Sequence, residues 1–573
     1  MKEKTIINPF KEIGVELVTL DTGEVMDPII VNSLREVPDI GKTMFSEFVR
    51  ERIETGSKPL SDVIPKANVY TFSNRPPVDL KKGASKLESA KSNSALITKL
   101  FLSLLGRPDG DIDDFFRHEN QREPPSLCDR GKLTSGTKSA LLGCLPGMPD
   151  PGCSPAAKEA PVIVLDMAAI IHFVRPQRAT VFGEFTHMHL VPFLESHVTN
   201  NTTRVDAVWD TYQDASLKSQ ARAKWGETKG QRTRVSTTIP IPKGAEWQKF
   251  LKEYENKNEL FHFLSEQLAQ CTSDARYHLF TTNADTVLTN RPTDVAGLSP
   301  CRQEEADTRM MLHLCHAAEQ GHRKAYLRTV DTDVVVLAIY HFHQLNLTEL
   351  WIGFGSGKTF REIPIHSVSQ QLGPQRSQAL LFFYSYTGCD VTSSMFGIGK
   401  KTAWNAWSTF PEVTDTFIQD PTCLTLDSLH MQRLERLTVL MYSKNCGSAS
   451  VNEARNLMFT VGLKSLKSIP PTQHALFQHT KRALLIAAFT WKQSLVKHPN
   501  NPDPSQWGWE WNDRTKAWVP YWTDLPDASK GCSLLLHCAC LVACKGNCKC
   551  HRGGHRCGPL CKCEGGCTNN TSD

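Results

Sequence analysis

Four short, almost continuous apolar runs, separated by helix-like segments, constrain the fold of this chain more than any other feature. They are VIVLD, RVDAVWD, KAYLRTV and ELWIGFG, all between residues 162 and 355. Strands without polar alternation are buried on both faces, which is typical of parallel sheets covered by helices. The sequence therefore predicts an α/β fold with a mostly parallel sheet and helices on both of its faces.

Carboxylate side chains stand where the predicted strands end or the following helices begin. The set comprises Asp166, Asp210, Glu305, Asp307, Asp331, Asp333 and Asp390. One such acid alone is most often structural, and the positive end of a helix already explains the Glu305 and Asp307 pair. Ligands of an open parallel sheet bind beyond the carboxyl ends of its strands, so we expect all seven to converge on one cleft. Clustered carboxylates need cations and favour hard ions such as Mg²⁺ or Mn²⁺, and two such ions can hydrolyse a phosphodiester.

A glycine turn follows the last of these acids. The stretch SSMFGIGKKTAWNAW places Gly397, Gly399, Lys400 and Lys401 at the start of a predicted helix. Glycines let backbone N–H groups approach a phosphate, the helix N-terminus attracts the anion, and the lysines add positive charge. Glycine turns are common, but the position of this one shortly after Asp390 indicates a helix–hairpin–helix turn that binds nucleic-acid backbone.

The order of these motifs resembles that of the flap endonuclease/XPG-type nucleases of the PIN-like superfamily. The pieces that match are DMAA, VWD, EEAD, VDTDVVVL and TGCD with FGIGKKTAW, from about residue 160 to 410. The resemblance implies that the seven acids hold two divalent metal ions and cleave structured DNA. It also implies basic residues on a helical element near the scissile phosphate. Lys218, Arg222 and Lys224 match that element approximately, and could equally form a solvated helix face.

Two departures from the family pattern bear on this interpretation. The family's nuclease domain normally begins at the chain start, whereas here about 160 residues precede it. Asp307 stands where the family usually has Glu, and its shorter side chain would weaken metal binding. The layout also resembles a group of animal proteins that derive from mobile elements.

The cysteines of the chain are concentrated at one end. Of 19 cysteines, ten lie between Cys532 and Cys567, a distribution that favours a metal site in a reducing compartment over a disulfide framework. Nine have zinc-ligand spacing: Cys538, Cys540, Cys544, Cys548, Cys550, Cys557, Cys561, Cys563 and Cys567. Nine thiolates around three zinc ions require that some of them bridge. The pattern resembles the CXC domains of tesmin-like chromatin proteins, and whether the module contacts DNA stays open.

The chain divides into stretches of different character. We predict an N-terminal region of unassigned role over 1–130, a linker over 131–158 and a PIN-like nuclease domain over 159–410. A helical extension over 411–499, a Pro/Trp-rich connector over 500–530 and the zinc module over 531–569 follow.

Composition and charge limit the class of protein. The net charge of +5 is small for 573 residues, and no stretch approaches the roughly 20 apolar residues needed to span a bilayer. The N-terminus lacks the apolar core of a secretory signal. We therefore expect neither a membrane nor a secretory route. The resemblances imply a nuclear protein with nucleic acid as partner, DNA before RNA, chromatin as a further partner and no small-molecule cofactor.

Two hypotheses of different class follow. The first is a Mg²⁺- or Mn²⁺-dependent nuclease, an endonuclease or 5′ nuclease, acting on structured or single-stranded DNA. The alternative is a non-catalytic DNA- or chromatin-binding protein of mobile-element origin that keeps a nuclease fold. An interaction scaffold built on the N-terminal residues is a third possibility.

Overall fold

The computed structural model describes the chain in segments. These are residues 28–64, 112–120, 123–129, 131–150, 159–212, 216–218, 233–460, 464–513, 515–526, 538–540, 548, 550, 557 and 561–563. The chain forms two compact units, Met1–Ser89 and Ala90–Asp573. In the described part of the first unit, helix α1 (Pro28–Phe48) continues into a π-helical turn (Val49–Glu54).

A seven-stranded sheet is the centre of the second unit, among the residues described. The strands of the unit are β1 (Cys128–Asp129), β2 (Lys132–Leu133), β3 (Val162–Asp166), β4 (Arg204–Val208), β5 (His278–Asn283), β6 (Thr286–Thr289), β7 (Lys324–Thr329), β8 (Glu349–Phe354), β9 (Arg361–Pro364), β10 (Trp509–Asn512) and β11 (Ala517–Pro520). The sheet order is β6-β5-β4-β3-β7-β8-β9. The five inner strands are parallel, and β6 and β9 pair antiparallel at the edges.

The apolar runs form the inner strands because both faces of the sheet are covered. Along β3, Val162 and Val164 pack into one apolar core, whereas Ile163 and Leu165 pack into another on the opposite face. All four side chains are buried. The prediction of a mostly parallel α/β sheet with helices on both faces is confirmed.

Helices cover the sheet and extend beyond it toward the C-terminus. They are α2 (Ile112–Arg117), α3 (Met167–Ile170), α4 (Phe182–Phe185), α5 (Val191–Glu195), α6 (Ala245–Phe250), α7 (Tyr254–Cys271), α8 (Ala306–Glu319), α9 (Thr332–His341), α10 (Ile365–Leu372), α11 (Pro374–Tyr386), α12 (Lys400–Thr409), α13 (Thr414–Ile418), α14 (Leu429–Tyr442), α15 (Val451–Thr460) and α16 (Gln473–Leu484). The stretch predicted as a helical extension contains α13 to α16, joined by non-helical residues, and apolar side chains of these helices join the core that contains α8, α9 and α11.

The segment predicted as a linker contains ordered structure that packs on the core. Lys138–Cys144 is a 3-10 helix whose Leu141 and Leu142 are buried in the larger apolar core. Just before it, the carbonyl of Thr134 accepts a hydrogen bond of 2.8 Å from the Ser394 backbone N–H. This segment is therefore joined to the loop that precedes α12.

The Pro/Trp-rich stretch forms a small hairpin. Strands β10 and β11 pair antiparallel, and the Trp511 and Trp518 rings meet edge to face at 5.5 Å. Trp509 is buried against neighbouring apolar side chains. Among the described residues, no helix has the length and apolar character needed to cross a membrane.

Candidate metal centre

The seven predicted acids line two adjacent cavities at the carboxyl end of the parallel strands. One cavity, of about 280 Å³, is lined by every member of the set except Asp333. The other, of about 360 Å³, is lined by Asp333 and shares Glu305 and Asp390 with the first. The convergence follows from topology, because β3, β4 and β7 are neighbouring parallel strands that end at the same edge.

Helix N-termini fix the orientation of several of these acids. The Asp166 carboxylate accepts hydrogen bonds from the Ala169 backbone N–H at 2.9 Å and from the Thr329 hydroxyl at 2.7 Å. The Asp210 carboxylate accepts one from the Ala306 N–H, the first residue of α8, at 2.8 Å. The second Asp210 oxygen accepts a hydrogen bond of 3.2 Å from the Tyr212 hydroxyl, so both carboxylates are held in place at the wall of the cavity.

Three of the acids are close enough to share one metal ion. Asp307, Asp331 and Asp333 each offer a carboxylate oxygen, and these oxygens lie within 4.8 Å of one another. Oxygen ligands from carboxylates are what Mg²⁺ and Mn²⁺ prefer. The donor set therefore fits a hard divalent cation.

Burial and mutual repulsion make several of these acids difficult to ionise. Burial raises the pKa of Asp166 to about 6 and that of Glu305 to about 7, and the nearby Asp210 adds to both shifts. Burial and the adjacent Asp333 raise the pKa of Asp331 to about 7. Shifts of this direction and size are typical of functional sites, and they show that the cluster needs cationic partners.

Two lysines supply positive charge to the cluster. Lys138 places its Nζ atom 2.9 Å from a carboxylate oxygen of Asp390, 3.0 Å from one of Asp333 and 3.1 Å from one of Asp331. Burial alone would lower the pKa of Lys138, but these carboxylates outweigh it and raise the pKa well above its usual range. Lys138 was missed by the sequence analysis, because its Gly/Pro/Ser-rich surroundings carry no signal of a functional residue.

Lys218 is the second of these lysines. Its Nζ atom lies 2.7 Å from a Glu305 oxygen and 4.0 Å from oxygens of Asp307 and Asp390. Lys218 was predicted to contact nucleic acid, and the structure places it among the acids instead of on a basic helix face. Arg222 and Lys224, predicted for the same role, lie outside the described residues.

Asp333 differs from its neighbours because a tyrosine and both lysines stabilise its charge. The Tyr384 hydroxyl donates a hydrogen bond of 2.7 Å to the Asp333 carboxylate. Burial opposes ionisation, yet Lys138 and Lys218 outweigh it and hold the pKa of Asp333 at about 2. Tyr384 is buried in α11, so the sequence pattern alone made it a core residue.

The glycine turn precedes α12 as predicted, but one of its lysines has a different role. Lys400 was predicted to contact phosphate, and this is corrected: the residue is 4% exposed and its burial lowers its pKa to about 7. Its Nζ atom donates to the carbonyls of Tyr384 and Gly388, each at 2.7 Å. Lys400 therefore caps the C-terminal end of α11 and is not accessible at the surface.

The rest of the turn is accessible. Gly397, Gly399 and Lys401 are exposed, and Gly397 has a φ of 76°, a left-handed conformation that favours glycine. The backbone N–H groups of the turn can therefore approach a phosphate, with Lys401 as the accessible cation of the pair.

A buried charge network connects β4 and α8, the strand and the helix beside which Asp210, Glu305 and Asp307 lie. Arg204 donates two hydrogen bonds, of 2.7 and 2.8 Å, to the Asp206 carboxylate in β4. The same carboxylate accepts a third, of 2.7 Å, from His313 of α8. Arg204 and His313 outweigh the opposing effect of burial and hold the pKa of Asp206 at about 2. This network fixes β4 against α8 behind the cavity.

The cysteine cluster forms two groups of four that could each hold a metal ion. One contains Cys538, Cys548, Cys550 and Cys557, and the other contains Cys538, Cys557, Cys561 and Cys563. The sulfur atoms of Cys538 and Cys557 lie 3.8 Å apart and those of Cys538 and Cys563 lie 4.0 Å apart. These distances match thiolates around one zinc ion, which lie about 3.8 Å apart, and are too long for disulfides. Cys538 and Cys557 belong to both groups, so each is placed where it could be shared by two ions.

Three predicted zinc ligands, Cys540, Cys544 and Cys567, do not belong to either group of four. Cys540 is half-buried and packs against the cluster. Cys544 and Cys567 lie outside the described residues.

Comparison with known proteins adds little to this description. No protein-family model matches the chain, and no curated protein matches it. Two solved structures of the bacteriophage T5 flap endonuclease are similar at 12% and 14% identity, with TM-scores of 0.27 and 0.26, and each covers 58% of this chain and 96% of its own. One is a pseudo-enzyme–product complex with DNA and metal ions, and the other was co-crystallised with metal ions. Superpositions of this quality do not establish a shared function, so the interpretation rests on the geometry of the site.

Proposed function

We propose that this protein is a divalent-metal-dependent nuclease that hydrolyses phosphodiester bonds of structured or single-stranded DNA, as an endonuclease or 5′ nuclease. The observation that supports this most is the convergence of seven carboxylates on the carboxyl edge of a parallel sheet, three of them within 4.8 Å of one another. So much negative charge facing one cavity has no evident structural use. It suits a site where cations meet phosphate.

The ions in this proposal are two Mg²⁺ or Mn²⁺ ions. Asp307, Asp331 and Asp333 would hold one of them, and the remaining acids would complete the ligands of the pair. Bound there, divalent ions would lower the pKa of an attacking water and stabilise the charge on the leaving oxygen.

The chain's own residues would position the substrate. Lys257 and His172 line the same cavity as the acids, where they can face an incoming phosphate. Lys257 is held with its Nζ atom 4.7 Å from the centre of the Tyr212 ring. On the turn before α12, exposed backbone N–H groups and Lys401 would contact the phosphate backbone of a duplex. These contacts orient the scissile bond without reading its sequence.

The cysteine cluster is proposed to bind zinc, three ions in the complete module, and to add affinity for DNA. In the described part of the module the six buried cysteines pack against one another and against Cys540, and metal coordination would supply the folding free energy of this module. A nuclear location and binding to chromatin belong to the same proposal.

One observation favours the alternative of a non-catalytic nucleic-acid-binding protein. Lys138 and Lys218 already neutralise part of the acidic cluster without any metal ion. A protein that no longer cleaves would keep such internal pairs to stabilise buried acids.

Cleavage by matched variants discriminates between the two functions. Wild-type protein, loaded with zinc, is incubated with flap, fork, hairpin and single-stranded DNA and with RNA, in Mg²⁺ or Mn²⁺. We expect metal-dependent cleavage that falls at least about a hundredfold when Asp331→Ala and Asp333→Ala are combined, because several kcal/mol of transition-state stabilisation are lost. The control is Asp513→Ala, an exposed acid in the turn between β10 and β11. If the wild type binds these substrates and cuts none of them, the nuclease proposal is wrong.

A further inference from the structure

Lys138 is surrounded by carboxylate oxygens as a metal ion would be. Its Nζ atom has oxygens of Asp331, Asp333 and Asp390 at 2.9 to 3.1 Å, and its side chain is only 23% exposed. Carboxylate oxygens from several acids are the ligands that hard divalent cations prefer. The ammonium group therefore stands at a cation position of the acidic cluster.

The backbone around Lys138 holds the ammonium group there. Lys138 begins the 3-10 helix Lys138–Cys144, and the buried Leu141 and Leu142 anchor that helix in the main core. The helix packs against α9, which carries Asp333, and against α12. The Lys138 side chain is therefore held at its backbone by the anchored helix and at its ammonium group by the three carboxylates.

Lys218 is held less tightly than Lys138. Among the described acids it makes one short contact, to Glu305 at 2.7 Å, while its distances to Asp307 and Asp390 are 4.0 Å. A metal ion that binds near Asp307 would therefore compete with Lys218, which has one close carboxylate among the described acids. A metal ion that binds between Asp331, Asp333 and Asp390 would compete with Lys138, which has three close carboxylates.

We propose that Lys138 occupies one of the two cation positions of the candidate metal centre, so that a second divalent ion binds only by displacing this lysine. The proposal rests on the proposed metal-dependent function, because it concerns the same acids. Its consequence is a centre that binds one ion readily among the acids that Lys138 does not contact, which are Asp166, Asp210, Glu305 and Asp307. A second ion, at Asp331, Asp333 and Asp390, binds only at higher metal concentration.

Electrostatic repulsion prevents the Lys138 ammonium group and a divalent ion from binding the same carboxylates at the same time. A Mg²⁺ ion bound to the same oxygens at about 2.1 Å would lie only about 3 to 4 Å from the ammonium nitrogen. Charges of +2 and +1 at that distance repel by several kcal/mol even at an effective dielectric constant near 20. The lysine must therefore move before a second ion can bind.

Binding of Mn²⁺ measures this competition without any cleavage. Zinc-loaded full-length protein is titrated with Mn²⁺, and bound ions are counted by electron paramagnetic resonance and by calorimetry. We expect the wild type to bind one ion tightly and the second at least tenfold more weakly than Lys138→Met does. Lys138→Arg keeps the positive charge and should bind the second ion as weakly as the wild type. Lys132→Met, at an exposed lysine of the same segment, should also match the wild type.

Chemical modification of the wild type gives a second measurement that needs no variant. Acetylation of lysines by a water-soluble ester, followed by mass spectrometry, reports whether each amine is free to react. We expect modification of Lys138 to rise as Mn²⁺ fills the second position, while modification of Lys132 stays constant.

The possible outcomes separate this inference from the proposed function. Equal affinity for the second ion in the wild type and Lys138→Met, or modification of Lys138 that does not respond to Mn²⁺, overturns the inference alone. A wild type that binds no Mn²⁺ at the acidic cluster overturns both proposals.

Discussion

Removing the charge of Asp206 is expected to destabilise the α/β unit more than removing any exposed acid. Asp206 is fully buried and accepts two hydrogen bonds from Arg204 and one from His313. In Asp206→Asn the Arg204 guanidinium stays buried without a counter-charge. Breaking a buried pair in this way typically costs about 3 to 5 kcal/mol in the free energy of unfolding.

The titration of the Asp206 carboxylate makes the cost of Asp206→Asn in the free energy of unfolding depend on pH. Because the pKa of Asp206 is about 2 in the folded protein, against 3.8 ordinarily, its ionised form stabilises the fold by about 2 kcal/mol at neutral pH. The folded pKa is the lower one, so this stabilisation is present above about pH 4 and is lost as the pH falls toward 2. The difference between the wild type and Asp206→Asn should therefore shrink below pH 4.

Urea unfolding followed by tryptophan fluorescence measures both quantities. The control is Asp274→Asn, at an exposed acid before β5, which should change the free energy of unfolding by less than about 0.5 kcal/mol. Replacing Arg204 and Asp206 together by Met and Leu should destabilise less than Asp206→Asn, because no unpaired charge remains. A cost below about 1 kcal/mol for Asp206→Asn at pH 7 would refute the argument that this network fixes β4 against α8.

Three further predictions concern the two candidate metal sites. Tyr384→Phe removes the hydrogen bond to Asp333 and should weaken Mn²⁺ binding about tenfold in a calorimetric titration, with the unfolding midpoint nearly unchanged. Gly388→Ala should lower the free energy of unfolding by at least about 2 kcal/mol, measured in urea. The reason is that Gly388 has a φ of 104° and that an added Cβ would lie 2.7 Å from the backbone of Ser394. Cys557→Ser should lose more zinc, counted by elemental analysis, than Cys548→Ser, because Cys557 belongs to both cysteine groups. Equal zinc loss in the two cysteine variants would contradict bridging.

The sheet could be predicted from the sequence because its inner strands are apolar on both faces. The runs that end at Asp166 and Asp210 coincide with β3 and β4 to within two residues. The acids that follow these strands were predicted to converge because the carboxyl ends of parallel strands lie at one edge of a sheet. The position of the candidate site could therefore be predicted together with the sheet.

The cations of the site could not be predicted in the same way. Lys138 meets Asp331 across 193 residues of sequence, and no local pattern reports a contact of that range. Lys400 has the sequence context of a surface lysine at a helix start, and only the packing of α11 and α12 buries it. Local patterns thus predicted which residues carry negative charge at the site, while tertiary packing decided which lysines face them.

The way residues 112–145 pack sets where a fragment of this protein can begin. Phe115, Phe116 and Leu127 are buried in the same core as the helices behind the sheet, as are Leu141 and Leu142. A fragment that began at residue 159, where the strand pattern starts, would expose the surfaces that these side chains cover and would also lose Lys138. A folded fragment therefore requires a start before residue 112, and shorter fragments should aggregate.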